Sequence, residues 1–313
     1  MRYVDAAMIE RLLDLETAYR SQLEAFRCLG TGVAELAERL ILSASPGDAL
    51  AFCYASRLRP GAPAVCKFGA VADNRARGLP SVHAVVIALD AATGQPLACF
   101  DGEPITTLRT PAATAVAVDH LARPGAHELA VIGCGLQGRS HVRALAGRVS
   151  RVHLWDHHPG RASALADQLG GDLGVPLLVA ASPADAVGAA DIVVACTTSV
   201  TPVLSGDWVA PGTTVVSIGS FAPDRSEVDA TLVRKAHAIV VDHADIAQRQ
   251  AGPLVAALAA GDIAPGSVVE LGDVVTGRRL ARPDDAAIVY YNSVGLGVQD
   301  AAAVTTLLDL LAV

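Results

Sequence analysis

Lysine is almost missing from this 313-residue chain: of its 24 basic residues only Lys67 and Lys235 are lysine, and the rest are arginine. The basic residues form no cluster and the net charge is −8, so the electrostatic footprint of a nucleic-acid-binding protein is absent. Six cysteines are present (Cys28, Cys53, Cys66, Cys99, Cys134 and Cys196), but no two are spaced as C-x-x-C. That spacing excludes a zinc ribbon or a dithiol motif, and thiols scattered through apolar runs behave as small hydrophobes rather than disulfide partners. No uninterrupted apolar stretch reaches the roughly 18 residues that a membrane-spanning helix requires. The opening Met1-Arg2-Tyr3-Val4-Asp5 leads into an amphipathic pattern with Glu10, Arg11, Asp14 and Glu16, without the basic-then-apolar order of a secretory leader. A cytoplasmic protein is expected. Yet 52% of residues are hydrophobic, only 18% are charged, and the mean hydropathy is +0.41. The surplus apolar surface is expected between subunits, as in a homodimer.

Against this scarcity Lys67 stands out. It lies in Ala64-Val65-Cys66-Lys67-Phe68-Gly69, an apolar strand-like run. Burying an unpaired ammonium costs on the order of several kcal/mol, so a lysine kept there has a task. The alternative is an edge-strand residue holding its charge in water to block aggregation.

Apolar residues at helical spacing (Met8, Ile9, Leu12, Leu13, Leu15) predict a helix over about 5–28, and a second helical pattern covers about 33–42. Strand-like runs follow at 50–55, 64–68, 82–89 and 96–100. Asp90-Ala91-Ala92-Thr93-Gly94 between the last two reads as a hairpin loop with Gly94 available for positive φ. This first region is α+β and mostly antiparallel. After Pro111 strands and helices alternate: helix 112–122, strand 128–132, helix 136–147, strand 151–155, helix 160–169, strand 176–180, helix 183–189 and strand 191–196. Strand 213–218, helix 229–236, strand 238–242 and helix 244–260 complete the series. Alternation with short connections predicts a parallel, doubly wound sheet. Residues 284–313 read as one long apolar helix that packs back on the first region. The expected fold class is therefore α/β, a Rossmann-type doubly wound sheet inserted after an α+β domain. The expected boundaries are 1–112, completed by 292–313, for a substrate-binding and dimerisation domain, and 113–291 for a nucleotide-binding domain.

The run Glu128-Leu129-Ala130-Val131-Ile132 leads directly into Gly133-Cys134-Gly135-Leu136-Gln137-Gly138 and then a helical pattern. Gly133 makes the tight turn, Gly135 lets a diphosphate approach the backbone, and Gly138 lets the helix close on the sheet. The diphosphate then meets the free N–H groups at the helix start, including those of Leu136 and Gln137. The next strand-like run ends at Asp156, 23 positions after Gly133, where a carboxylate hydrogen-bonds the ribose hydroxyls. That carboxylate repels a 2′-phosphate and favours NAD. Arg161 and the His157-His158 pair offer positive charge that leaves NADP open. His153, His157 and His158 flank one strand end without an accompanying set of acids, so a metal is not expected. His243, following Asp242 at a strand end, reads as a polar loop residue.

On these motifs the chain resembles the ornithine cyclodeaminase/μ-crystallin family, over nearly its whole length from Lys67 onward. The resemblance is carried by Lys67-Phe68-Gly69 with Asn74 and Gly78-Leu79-Pro80, and by Asp101-Gly102 through Thr106-Thr107-Leu108-Arg109-Thr110. Further matches are Ala190-Asp191-Ile192-Val193 with Thr197-Thr198-Ser199 and Thr201-Pro202, Glu270-Leu271-Gly272-Asp273, and Ser293-Val294-Gly295 with Gln299-Asp300. The resemblance implies a substrate and dimerisation domain joined to a Rossmann domain. It implies that Lys67 and Arg109 hold the substrate carboxylate, that Lys67 transfers a proton, and that Asp300 belongs to the catalytic group. Physics agrees: a guanidinium matches a carboxylate bidentately, and a desolvated lysine shifts its pKa. A domain-boundary salt bridge is the alternative role for Arg109. Thr110, Thr197, Thr198, Ser199, Ile218 and Ser293 are expected beside the cofactor, and Phe221 and Gly295 beside the substrate.

The chain departs from the family pattern at two places. Members that cyclise amino acids carry a catalytic aspartate after the strand at 213–219, and its place here is Phe221, which cannot take a proton. Asp224 and Glu227 are the nearby acids. The family also places an arginine some two dozen residues before the lysine. That stretch reads Leu42-Ser43-Ala44-Ser45-Pro46, and the nearest arginines are Arg39, Arg57 and Arg59. The expected function is an NAD(P)H-dependent reductase or dehydrogenase at the C–N bond of a small α-imino or α-amino acid, because reduction starts from an electrophilic carbon and needs no such aspartate. The alternatives are an ammonia-releasing cyclodeaminase with NAD as a catalytic group, which would need Asp224 or Glu227 as base, and a non-enzymatic ligand binder of μ-crystallin type.

Overall fold

The computed structural model describes residues 1–42, 45, 48–72, 74, 77–79 and 82–312. Two compact units emerge, Met1–Ala113 with Leu296–Val313, and Thr114–Gly295.

The first unit is built on a seven-stranded sheet. Its strands are β1 (Arg2–Val4), β2 (Glu35–Leu36), β3 (Leu40–Leu42), β4 (Leu50–Arg57), β5 (Ala64–Val71), β6 (Val82–Leu89) and β7 (Pro96–Asp101). The order is β1-β7-β6-β5-β4-β2, with β3 also on β4, and every pair is antiparallel except β1 with β7. Helices α1 (Ala6–Leu12) and α2 (Leu15–Gly30) replace the single expected helix. Asp14 accepts from the Thr17 N–H and caps α2, which stops α1 at Leu12. The expected helix at 33–42 is absent. Gly32, at φ 73°, turns the chain so that β2 and β3 pair with β4. Helical spacing was present locally, but the available strand edge decided the outcome. Helix α3 (Gly102–Leu121) begins ten residues before the expected start and runs through Pro111, carrying the chain from one unit into the other.

The second unit holds β8 (Glu128–Ile132), α4 (Leu136–Leu145), β9 (Arg151–Trp155), α5 (Arg161–Leu169), β10 (Leu177–Val179), α6 (Pro183–Gly188) and β11 (Ile192–Ala195). It continues with β12 (Thr214–Ser217), α7 (Ala230–Lys235), β13 (Ala238–Val241), α8 (Ala244–Gln250), α9 (Gly252–Ala260), β14 (Val269–Glu270), α10 (Leu271–Val275) and β15 (Val289–Asn292). All eight strands are parallel, in the order β10-β9-β8-β11-β12-β15-β13-β14. The expected helix at 244–260 is two helices, because Pro253 has no N–H to donate and sits in the first turn of α9. The expected helix at 284–313 is the largest correction. Its first part is β15, wedged between β12 and β13, and only α11 (Gly297–Leu311) is helical. Val289, Tyr290 and Tyr291 are buried strand formers, and a short apolar run alone does not distinguish strand from helix. Helix α11 returns to the first unit, where it packs on α2, β4 and β5.

Candidate active site

In the first unit, alternation along β5 turns Val65, Lys67 and Gly69 inward and leaves Phe68 exposed. Lys67 is only 3% exposed, and β5 lies between β4 and β6, so an edge-strand role is excluded. Its Nζ donates to Thr106 Oγ1 at 2.5 Å and to Asp300 Oδ1 at 3.0 Å. Thr106 is free to accept because its own hydroxyl proton goes to the Gly102 carbonyl, one turn back on α3. Asp300, in the first turn of α11, takes its second hydrogen bond from the Tyr54 hydroxyl at 2.9 Å. Arg109 is buried on α3, with Nη1 donating to Gln299 Oε1 at 3.1 Å. Its Nε has no hydrogen-bond acceptor, and the Asp300 carboxylate lies 3.9 Å from it. Thr110, one turn beyond Thr106, donates to the Thr106 carbonyl.

This arrangement sets the proton affinities. Burial pulls the Lys67 ammonium below its ordinary value, and the Asp300 carboxylate only partly restores it. Burial also works against ionisation of Asp300, but Lys67 and Arg109 together hold it below the usual carboxylate range. Burial and the Asp300 charge push the Tyr54 phenol well up, so it stays a donor.

Two members of this cluster were not among the residues expected from sequence. Tyr54 pairs with Lys67 in the antiparallel β4–β5 register, so pairing the two strand-like runs as a hairpin was the signal that could have found it. Arg39 lies just before β3, with its guanidinium 5.2 Å from the centre of the Tyr54 ring, and its charge is felt by Lys67. It is one of the three arginines nearest the stretch where the family pattern places one. Ser43, Ala44 and Pro46 of the stretch from Leu42 to Pro46, and Pro80 of the Gly78-Leu79-Pro80 motif, lie outside the described residues. Asn74 is buried, and Leu79 is exposed.

In the second unit, the glycines act at the turn from β8 to α4. Gly133 has φ 99°, and a Cβ there would lie 2.8 Å from the Cys196 carbonyl oxygen. At Gly138 a Cβ would fall 1.9 Å from the Gly133 oxygen, so helix and turn touch. A Cβ on Gly135 would meet only open space, above a helix start with no side-chain cap. That is a cradle of bare N–H groups fit for a diphosphate. Leu136 is exposed at the head of α4, and Gln137 keeps a buried Oε1 without a partner. Asp156 follows β9 and accepts from the N–H groups of Cys134 (2.7 Å) and His158 (2.8 Å), which fixes the carboxylate beside the turn. His157 and Arg161 are exposed nearby. His153 instead pairs with Glu128 at 2.8 Å.

The loops after β11, β12 and β15 are held by two buried carboxylates. Glu227 accepts from Thr197 N–H (2.5 Å), Gly219 N–H (2.7 Å) and Ser217 Oγ (2.7 Å). Burial raises its pKa against those donors, and its oxygens are spoken for, so it is no free base. Asp242 Oδ2 accepts from Ser293 Oγ, Val294 N–H and Gly295 N–H, the last at φ 76°. Ser199 turns its hydroxyl to the Thr201 carbonyl, Thr198 is exposed, and Ile218 continues β12 by donating to the Ala195 carbonyl. Phe221 lies under the Arg225 guanidinium, 4.8 Å from ring centre to carbon. Asp224 is exposed.

A wholly parallel sheet with a glycine turn where the strand order reverses, between β8 and β11, is the Rossmann-type class. The chain belongs to the ornithine cyclodeaminase/mu-crystallin family, whose model matches residues 53–312. It is 31% identical over 233 residues to a Delta(1)-pyrroline-2-carboxylate reductase of Bacillus cereus, covering 74% of this chain and 71% of that one. The structure of the Thermococcus litoralis Delta(1)-pyrroline-2-carboxylate reductase in complex with NADH and L-proline superposes with a TM-score of 0.94. The two are 28% identical, and the match covers 99% of this chain and 97% of that one. The iminosuccinate reductase of Paracoccus denitrificans in complex with NAD+ gives 0.92 at 29% identity, covering 100% and 96%.

Proposed function

We propose that this chain is an NAD(P)H-dependent reductase of small α-imino acids, working in reverse as a dehydrogenase of the matching α-amino acids. The carrying observation is the buried Lys67–Asp300 pair with Arg109 beside it, a proton donor and a carboxylate grip in one cluster. The relatives that reduce C=N bonds next to a carboxylate support the same reading. The Gly135 cradle and the α4 start hold the diphosphate, and Asp156 accepts the ribose hydroxyls, which favours NAD over NADP. Thr197, Ser199 and Ser293 line the nicotinamide end on loops anchored by Glu227 and Asp242. When bound, the nicotinamide supplies a hydride to the substrate carbon. The unpartnered Arg109 Nε, with Arg39, grips the substrate carboxylate. Lys67 Nζ donates its proton to the imine nitrogen and is recharged through Thr106 or Asp300. Cyclodeamination is disfavoured because Phe221 carries no proton and Glu227 is fully engaged.

The test follows nicotinamide absorbance and ammonia together. Keto acids with ammonia, or cyclic imines, should oxidise NADH. Ammonia release from a diamino acid without net absorbance change would establish the cyclodeaminase instead. No turnover with any imine, but a thermal shift with an aromatic ligand, would establish a binder.

The second part of the proposal is a homodimer in the cytoplasm. Leu40, Cys53, Phe68 and Val85 form one cross-strand row, with Leu40 67% and Phe68 51% exposed. An apolar sheet face of this kind favours a second copy. All six cysteines are free thiols, in keeping with a reducing compartment. No helix among the described residues is long and apolar enough to cross a membrane. Light scattering should give twice the 32.0 kDa chain mass.

A further inference from the structure

We propose that Gln299 is a positioning residue of the carboxylate grip: its side-chain oxygen fixes the Arg109 guanidinium without neutralising it, which keeps that charge for the carboxylate of the substrate. The inference rests on the reductase reading, in which Arg109 grips that carboxylate, and every residue it uses belongs to the first unit. Gln299 is the third residue of α11 and is fully buried. Its place is fixed from three directions. The Gln22 amide of α2 donates to the Gln299 carbonyl at 3.0 Å, and the Gln299 N–H donates to the Leu296 carbonyl at 3.1 Å. A Cβ on Gly297 would lie 2.8 Å from the Tyr54 ring, so α11 starts in close contact with β4. Held there, Gln299 Oε1 accepts two hydrogen bonds, from the Leu296 N–H at 2.9 Å and from Arg109 Nη1 at 3.1 Å.

The first of these bonds is helix capping, and capping accepts glutamate at this position as readily as glutamine. Local chemistry favours glutamate. The positive end of the helix attracts a carboxylate, and a charge-assisted bond to a guanidinium is stronger than a neutral one. The amide also leaves its Nε2 buried with no acceptor among the described residues, a cost that a carboxylate would not carry. What a carboxylate would do here is cancel the Arg109 charge. With the amide in place, Lys67 feels the positive charges of Arg109 and Arg39 against the negative charge of Asp300. Asp300 is already bonded to Lys67 and to the Tyr54 hydroxyl, and it lies 3.9 Å from Arg109 Nε, beyond hydrogen-bond reach. The cluster therefore keeps a surplus positive charge at Arg109, and a substrate carboxylate balances it.

Gln299→Glu keeps an acceptor for both donors, and the adjacent guanidinium holds the new carboxylate ionised. In steady-state reduction of cyclic imines, and of the imine of pyruvate with ammonia, its KM for the imino acid should rise about 10-fold while kcat changes little. The KM for NADH should stay as in wild type. The alkaline limb of the reduction profile, set by Lys67, should move to higher pH, because a compensated Arg109 no longer depresses the lysine. A residue that only caps α11 would move neither quantity. Gln299→Leu, which releases Arg109, should raise the same KM. Independently of turnover, L-proline or L-alanine with NAD+ should raise the melting temperature of wild type more than that of Gln299→Glu. Wild-type KM and an unmoved limb in a folded Gln299→Glu variant overturn the inference and leave the reductase reading standing. Failure of every imine to oxidise NADH with wild type sinks the reductase reading instead, and the melting shifts then decide. A smaller shift in Gln299→Glu upholds Gln299 as the holder of a carboxylate grip, and equal shifts overturn it.

Discussion

Lys67 and Asp300 are 233 residues apart in the chain, yet their side chains meet at 3.0 Å in one buried ion pair. A pair this deep is weak evidence of stability, because desolvation offsets attraction. Removing one partner is a different matter. Asp300→Asn would leave the ammonium without its counter-charge and drive its pKa further down. Stability should fall by about 3 kcal/mol and imine reduction by about 100-fold or more. Thermal unfolding and initial rates check the two effects separately, and unchanged NADH affinity would locate the loss in the first unit.

The lowered affinity of Lys67 for its proton gives a pH profile with a definite sign. Reduction needs the ammonium form, so its rate should decline as pH rises through a value below the ordinary lysine 10.5. Amino-acid oxidation needs the neutral amine and should rise over the same interval. Lys67→Arg should remove that limb from both profiles, because a guanidinium does not titrate there. A profile unchanged by Lys67→Arg would exclude Lys67 as the donor.

Much of this could be seen in the residues themselves. The β8–Gly133–α4 turn, Asp156 and the buried Lys67 were legible because each depends on local chemistry: a strand, three glycines, an acid at fixed spacing, a charge in an apolar run. What stayed hidden depends on distant chain. Strand β15 could not be told from helix because its neighbours β12 and β13 are far away in sequence. Arg39 was hidden by its spacing, since only pairing of β3 with β4 carries it to Tyr54.

The glycine turn offers a clean separation of folding from binding. Gly138→Ala would press a methyl group against the Gly133 oxygen and should cost stability before any cofactor is added. Gly135→Ala meets only open space in the protein and should melt like wild type. Its methyl would occupy the approach of the diphosphate, so NADH should bind about 10-fold or more weakly, measured by fluorescence titration. Equal affinities for wild type and Gly135→Ala would move the cofactor site elsewhere.

His141 gives the last prediction, on stability rather than rate. It is fully buried on α4, its Nε2 2.9 Å from Thr114 Oγ1 and its Nδ1 2.8 Å from the Gln137 carbonyl. Burial pushes its pKa down from 6.5 to about 4. Between those values the unfolded chain holds a proton that the folded chain refuses, so stability rises with pH across that window. The contribution is complete above 6.5 and is lost as pH falls toward 4, amounting to about 3 kcal/mol. Carboxylates titrate nearby, so the difference between wild type and His141→Gln isolates the imidazole. Denaturant melts at about pH 7 and about pH 5 should show wild type losing more stability on acidification than the variant. Parallel losses would mean that His141 takes its proton without leaving the core, and that the acid sensitivity lies in other groups; Glu227 and Asp242, whose folded-state pKa values are raised, bind protons more readily when folded and work in the opposite direction.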